Sequence, residues 1–244
     1  MRRALHLLLA IFLLGVFWHL ASMAVQKTFL PPPLAAIEGC VYLFKEKDLL
    51  TDMGISLWRL SLSMCLALAL ALPIGSLMGR LPWLDRILSP FVAILYPLPK
   101  VVFLPIFIVF LGLGNAPKIL VITLIIFFQM LVVIRDGMAH VEKAYITSFY
   151  TLGGKKLALW WHVLLPATAL DVVTALRISI GSAIAVLFFA ETFAASGGLG
   201  DVILTAMEAR NYPEMYGGIL AMAILGLGAY GFLWLLEKRL LRWK

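Results

Sequence analysis

Six apolar segments, each close to the length that crosses a bilayer, restrict this chain to a membrane-embedded helical fold. A helix needs about 20 apolar residues to cross roughly 30 Å of hydrocarbon. The chain has 244 residues, of which 63% are hydrophobic and 14% charged, and a soluble domain of this length could not bury so much apolar surface. We therefore predict an all-α polytopic membrane protein with about six transmembrane helices, at approximately 5–25, 55–79, 91–112, 118–134, 167–195 and 216–236.

The distribution of basic residues predicts the orientation of these helices. The formal net charge is +7, and cytoplasmic loops of membrane proteins carry an excess of Lys and Arg. One set of loops holds most of the basic residues, so both termini and the loop at 135–166 are predicted to be cytoplasmic. That set comprises Arg2, Arg3, Arg80, Arg86, Arg135, Lys143, Lys155, Lys156, Lys238, Arg239, Arg242 and Lys244, whereas the outer loops hold Lys27, Lys45, Lys47 and Arg210, with Lys118 at a span edge.

The amino end begins like a signal peptide, with Arg2 and Arg3 before an apolar run. It lacks a clear small-x-small cleavage site, which favours a retained first span over a removed signal. After the prolines at 31–33, residues 34–50 could form an amphipathic helix on the outer surface. The predicted organisation is an N-terminal transmembrane helix (1–28), a periplasmic segment (29–54), a core of five transmembrane helices (55–239) with a cytoplasmic loop at 135–166, and a cytoplasmic tail (240–244).

Prolines and small residues mark special positions within the spans. Pro97, Pro99 and Pro105 interrupt the third span, and non-helical backbone at membrane depth requires protein or a water-lined cavity around it. The break is compatible with a simple kink or with part of a translocation pathway. Residues of small volume four apart permit close helix packing, which predicts two packing positions, one at Ala71, Gly75 and Gly79 and one at Gly181 and Ala185.

The chain lacks the sequence patterns of an enzyme or a metal site. It has no GxxxxGK[ST] phosphate-binding loop, so we do not expect it to hydrolyse ATP itself. Its histidines are scattered, at His6, His19, His140 and His162, and no metal-binding spacing occurs. Ser196 with Gly197 and Gly198 resembles a nucleophile turn, but no histidine of an apolar span lies near it. Cys40 and Cys65 are interpreted as packing residues rather than ligands or a disulfide. We expect no catalytic residue, metal or cofactor in this chain.

Two ionisable residues of the fifth span are candidates for a translocation pathway. With Pro166 at the cytoplasmic edge and 1.5 Å of rise per residue, Arg177 lies roughly 16 Å into the membrane and Glu191 near the outer edge. Charges at such depth are rare, face the protein interior and often mark pathways. The alternative is a structural role, with Arg177 bonded to backbone carbonyls of a neighbouring helix and Glu191 reaching interfacial water.

The loop at 153–166, GGKKLALWWHVLLP, combines charge and turn residues with an apolar helical pattern. The spacing of Leu157, Trp160, Trp161 and Leu164 predicts one apolar helix face. Lys155 and His162 fall on the opposite side, and Pro166 is predicted to end the helix. Such a helix in a cytoplasmic loop suits docking to a partner protein, although tryptophans at this position could also anchor the membrane interface.

The same loop resembles the coupling loop of ABC importer permeases, in which Glu-Ala-Ala, three residues, Gly and nine residues precede Ile-x-Leu-Pro. Here nine residues follow Gly153 before Val163, Leu164, Leu165 and Pro166. Thr147-Ser148-Phe149 stands where the family has Glu-Ala-Ala, so the resemblance does not extend to those three contacts.

Further segments in the same order resemble the nitrate, sulfonate, taurine and bicarbonate group of these permeases. They are FLPPPLAAIEGCVYLF, SLWRL, LPIGSLMGR, YPLPKVVFLPIFIVFLGLG, LRISIGSAIAVLFFAE and SGGLGDVI, which together cover roughly residues 29–239. The resemblance implies a type I ABC importer permease fold in a bacterial inner membrane. It also implies a second permease copy, two cytoplasmic ATPase subunits that bind ATP and Mg²⁺, and a periplasmic or lipid-anchored solute-binding protein.

Within this resemblance, the loop residues are expected to couple the chain to the ATPase and the span residues to line the pathway. The coupling set is Gly153, Lys155, Lys156, Leu157, Trp160, Trp161, His162, Leu164 and Pro166, and the pathway set is Arg177, Glu191, Pro97 and Pro99. A small oxyanion is the favoured solute. A pyrimidine, thiamine-precursor or riboflavin-like compound is the alternative, and a non-transporting scaffold or receptor is the alternative from another class.

Overall fold

The computed structural model describes residues 2–193 and 197–240, and leaves out the side chains of residues 2–5, 7, 8 and 240. The turn residue Ser196 and the tail residues Arg242 and Lys244 therefore lie outside the described residues, as do the side chains of Arg2 and Arg3. The chain divides into two compact units, one of residues 1–57 and 191–225 and the other of residues 58–190 and 226–244.

All regular structure in the described part of the chain is helical. The α-helices are α1 Arg2–Val25, α2 Pro33–Glu46, α3 Leu49–Arg80, α4 Pro82–Leu95, α5 Leu104–Leu111, α6 Asn115–Ala139, α7 Lys143–Thr151, α8 Lys156–Leu159, α9 Leu165–Ala167, α10 Ala169–Phe193, α11 Leu199–Glu208 and α12 Tyr212–Leu240. A 3₁₀ turn at Lys100–Phe103 precedes α5, and a π-helical turn at Trp160–Leu164 separates α8 from α9.

Within the described residues, four helices are individually long and apolar enough to cross a membrane, namely α3, α6, α10 and α12. Each of the four contains or closely matches a predicted span. Helix α3 begins at Leu49, six residues before the predicted 55, so the end of the predicted periplasmic segment is already helical. The first predicted span, at 5–25, is also helical and lies within α1, Arg2–Val25.

The third predicted span is broken rather than continuous. Its two halves, Pro82–Leu95 and Lys100–Leu111, meet at 83°, so the pair forms either one broken span or a re-entrant loop. Proline cannot continue the helical hydrogen-bond ladder, and Pro97 and Pro99 lie between the halves. The predicted interruption is therefore confirmed there. Pro105 instead occupies the first turn of α5, where a missing N–H does no harm.

In the larger unit, α3 packs closely against α6. A Cβ added at Gly75 would lie 3.0 Å from the backbone oxygen of Leu131, and one at Gly79 would overlap the backbone oxygen of Arg135. These contacts confirm the predicted close packing at the first small-residue position. A Cβ at Gly181 would meet no atom within 4 Å, so the second position makes no such contact with the described residues.

In the smaller unit, α2 packs against the start of α12. A Cβ at Gly39 would overlap the backbone of Pro213, and the neighbouring Cys40 is buried. Lys47 donates a 2.7 Å hydrogen bond to Glu214, which raises the pKa of Lys47. The predicted surface helix is thus shorter than 34–50 and is held against the fold. Cys65, predicted to pack inside, is exposed on α3.

Candidate functional site

The loop between α6 and α10 folds into two short helical segments joined by a glycine turn. Helix α7 ends at Thr151, and Gly153 adopts a φ of +84°, a left-handed conformation that residues with a Cβ rarely adopt. A Cβ at Gly154 would overlap the ring of Phe149. The predicted turn at Gly153 is therefore confirmed, and Gly154 is required as well because its neighbour is an aromatic ring.

The inner face of this loop is packed onto the end of α6. Met138 of α6 forms a buried cluster with Leu159 and Leu164, and Trp160 packs against that cluster. Further partly buried side chains complete the contact, namely Val141, Ile146, Phe149 and Val163. A motion of the loop is thereby linked to a membrane-spanning helix through apolar contacts.

The outer face of the loop carries Leu157 and Trp161. Their side chains are 75% and 66% exposed, whereas Leu164 is 1% exposed. The prediction of one shared apolar face for Leu157, Trp160, Trp161 and Leu164 is therefore wrong. The π-helical turn gives the reason, because the N–H of Leu165 bonds to the carbonyl of Trp160 five residues earlier and this wider turn rotates the following side chains.

The polar residues of the predicted coupling set lie on the surface of the loop. Lys155, Lys156 and His162 are exposed. Pro166 is also exposed, but it lies within α9 and does not end the helical stretch as predicted. Proline fits there because the first turn of a helix does not need its N–H.

A cavity of about 950 Å³ lies between this loop and the facing ends of α6 and α10. Its lining includes Asp136, His140, Glu142, His162 and Asp171. Carboxylates and imidazoles of this kind favour contact with water or polar partners over lipid. The groove beside the loop therefore carries ionisable side chains within a largely apolar lining.

Arg177, one of the two charged residues predicted for the fifth span, has a carboxylate partner. Its guanidinium forms an ion pair with Glu237 of α12. Backbone carbonyls were the expected structural alternative, and no local pattern in the sequence points to Glu237, which lies sixty positions further along the chain. The pair compensates a charge that would otherwise be costly to hold away from water.

We expect the Arg177–Glu237 pair to be visible in a double-mutant cycle. Arg177→Ala or Glu237→Ala alone leaves one partly buried charge without its partner and should lower the free energy of unfolding by about 2 kcal/mol, between the values for exposed and for buried pairs. The double variant should recover most of that loss, as measured by thermal unfolding of the purified chain. If Arg177→Ala is as stable as the wild type but imports no solute, then Arg177 belongs to the pathway and not to the framework.

Glu191, the other predicted pathway residue, is fully buried in the smaller unit. Ser56 Oγ donates to its carboxylate at 2.8 and 2.9 Å, and the N–H of Gly200 donates at 2.9 Å. Gly200 lies in the first turn of α11, where backbone N–H groups have no helical partner. A carboxylate at this end also interacts favourably with the helix dipole. Glu191 therefore stabilises the start of α11.

Neighbouring residues complete the same arrangement. The N–H of Leu199 donates to Ser56 Oγ at 2.9 Å, and the N–H of Gly198 donates to Asp52 at 2.7 Å. The N–H of Gly197 donates to Asp201 at 2.9 Å. Four successive N–H groups, those of residues 197–200, thus all bond to side-chain oxygens.

Lys100 is a buried basic residue outside the predicted set of pathway residues. It is 7% exposed and follows the proline break directly. A lysine inside an apolar run is a signal that could have identified it, since intramembrane charges are rare and usually functional. Lys118 and Arg59 are also almost fully buried, and Arg59 Nε donates to Asn115 at 2.8 Å. Lys118 lies in the first turn of α6, at the predicted span edge, and its side chain is buried.

These features define a polytopic helical membrane protein with a surface loop packed onto a spanning helix. The chain belongs to the family of binding-protein-dependent transport system inner membrane components, whose profile matches residues 71–242. It is 30% identical to the taurine transport system permease protein TauC of Escherichia coli (strain K12), over 95% of this chain and 86% of that protein.

Two other comparisons bear on substrate class and fold. The chain is 27% identical to the formylaminopyrimidine transport permease protein ThiX of Halalkalibacterium halodurans, over 99% of this chain and 97% of that protein. Its fold matches a structure of the inward-facing MetNI methionine ABC transporter, with a TM-score of 0.65 and 19% identity over 80% of this chain and 94% of that one. The chain is thus a permease subunit of an ABC importer, with the type I fold that the sequence resemblance implied.

Proposed function

We propose that two copies of this chain form the translocation pathway of an importer whose energy comes from two separate cytoplasmic ATPase subunits. The observation that carries this proposal is the exposure of Leu157 and Trp161 on a loop whose other face is packed onto α6. Exposed tryptophan and leucine side chains bring large apolar area to a protein interface. Nucleotide binding and Mg²⁺ belong to the ATPase subunits, since this chain has no phosphate-binding loop.

The coupling mechanism follows from the two faces of the loop. An ATPase groove that receives Leu157 and Trp161 would displace the loop when the two ATPase subunits close. The buried contacts of Leu159 and Leu164 with Met138 would transmit that displacement to α6. The loop and both termini are then cytoplasmic, which agrees with the excess of basic residues on that side.

For the solute, we favour a small oxyanion delivered by an extracytoplasmic solute-binding protein. The relative with 30% identity is a taurine permease, and two relatives are putative aliphatic sulfonate permeases at 29% and 25% identity. The second candidate is a pyrimidine-type compound, because one relative, matched over 97% of that relative's length, is a formylaminopyrimidine permease.

The test is reconstitution of the chain in proteoliposomes with its cognate ATPase and solute-binding protein. We expect a particle of two permease and two ATPase chains, and ATP-dependent uptake of taurine or a similar sulfonate. A neutral pyrimidine in competition separates the two solute classes. A lone monomer that transports without ATP, or an assembled complex that transports neither solute class, would contradict the proposal.

A further inference from the structure

We propose that the break in the third span contains a binding site for the anionic group of the transported solute, with Lys100 as its cation. This inference rests on the proposed import of a small oxyanion. The site is a cavity of about 280 Å³ at the bend between α4 and the 3₁₀ turn. Its lining comes from the break itself and from α6, namely Tyr96, Leu98, Pro99, Lys100, Phe128 and Gln129.

Lys100 is held in the cavity wall without an opposite charge. Its Nζ donates a 2.8 Å hydrogen bond to the backbone carbonyl of Tyr96 and lies 4.7 Å from the ring centre of Phe128. No carboxylate forms an ion pair with it among the described residues. An ammonium has three donors, so the Tyr96 carbonyl leaves hydrogen-bonding capacity for a ligand. Arg177, by contrast, has its charge compensated by Glu237.

Gln129 supplies a second polar group to the same cavity. Its Nε2 donates to Ser182 Oγ at 3.0 Å, which holds the side chain in place. Its Oε1 is buried without a hydrogen-bond partner in the described part of the chain. A buried acceptor without a partner is unfavourable, and a donor on a bound solute would satisfy it. The cavity therefore pairs one cation with one acceptor.

This pair of groups specifies a chemical class of ligand. The ammonium of Lys100 attracts a sulfonate or carboxylate, and Gln129 Oε1 accepts from an amine or hydroxyl on the same molecule. A water molecule occupies about 30 Å³ in the liquid, so a cavity of about 280 Å³ has room for a short organic anion. The aromatic rings around Lys100 strengthen its field by excluding water.

Taurine and ethanesulfonate are the probes that test both groups, because ethanesulfonate lacks the amine. Saturable binding to the purified full-length chain in detergent, followed by thermal shift, should weaken at least about tenfold for both probes in Lys100→Gln. Lys100→Arg keeps the charge and should retain part of the affinity. Gln129→Leu should weaken taurine binding and leave ethanesulfonate binding unchanged. Lys45→Gln, at an exposed lysine of α2, is the control for net charge.

Uptake by the assembled complex completes the test. We expect Lys100→Gln to raise the KM for taurine at unchanged complex yield. If uptake and binding by that variant match the wild type, the inference is wrong although the importer assignment stands. If the wild-type complex imports only neutral solutes, the proposed oxyanion function fails, and ethanesulfonate binding to the purified chain still decides the role of Lys100. Should Lys100→Gln fail to fold, Lys100→Arg and Gln129→Leu carry the same comparison.

Discussion

Replacing Glu191 by Ala should destabilise the chain by roughly 2–6 kcal/mol, because it leaves the hydroxyl of Ser56 and the N–H of Gly200 without an acceptor in a buried place, at about 1–3 kcal/mol each. The carboxylate is fully buried and accepts from both groups. We expect a lower yield and an earlier thermal transition of the purified chain. Glu191→Gln keeps one acceptor oxygen and should therefore lose less stability than Glu191→Ala.

Glu208→Ala is the matched control, since Glu208 is an exposed glutamate at the other end of the same helix α11. That variant should unfold like the wild type. A Glu191→Ala chain with wild-type stability and no uptake would overturn the structural role and return Glu191 to the pathway. Uptake and stability measured on the same preparations separate these two results.

The second large effect is expected at the loop between α6 and α10. Truncation of Trp161 and Leu157 to Ala should weaken association with the ATPase by about 2 kcal/mol or more, which is roughly thirtyfold, and should reduce uptake to near background. Both side chains are exposed and take no part in the buried cluster, so the folded permease should persist. Pull-down of the ATPase and uptake in proteoliposomes measure the two quantities.

Trp58→Ala is a suitable control, because Trp58 is 58% exposed on α3 and the predicted topology places it at the opposite membrane face. It should leave ATPase binding unchanged. Trp160→Ala should act differently, since Trp160 packs against the cluster formed by Met138, Leu159 and Leu164. We expect it to lower the stability of the loop as well as coupling. Wild-type ATPase binding by the double Leu157, Trp161 variant would contradict the proposed interface.

The sequence pattern predicted correctly those structural features that depend on neighbouring residues in the chain. Apolar length predicted the spanning helices, because lipid demands a helix of about 20 apolar residues. Proline chemistry predicted the break at Pro97 and Pro99, and residue volume predicted the close approach of α3 to α6 at Gly75 and Gly79. The turn at Gly153 followed from its freedom to adopt a positive φ. Helix α11 was not predicted, since its short apolar run lies between two much stronger signals.

Which side chains of the loop between α6 and α10 are exposed could be learned only from the tertiary structure. A 3.6-residue period places Leu157 and Leu164 on one face, but the π-helical turn at Trp160–Leu164 changes the angle between them. Sequence periodicity assumes a regular helix, so it cannot register one wider turn. In the structure Leu157 and Trp161 are exposed, whereas Leu164 is part of the packed inner face.

The sequence by itself determined that this chain is a helical membrane permease, where its long spanning helices lie and which loop resembles the coupling loop of ABC importer permeases, because these depend on residues close together in the chain. Only the tertiary structure decided how its buried charges are compensated. Ser56 and Glu191 are 135 positions apart, and Arg177 meets Glu237 on another helix. The energy of a buried charge depends on groups within a few ångströms of it, and folding brings those groups together from distant positions.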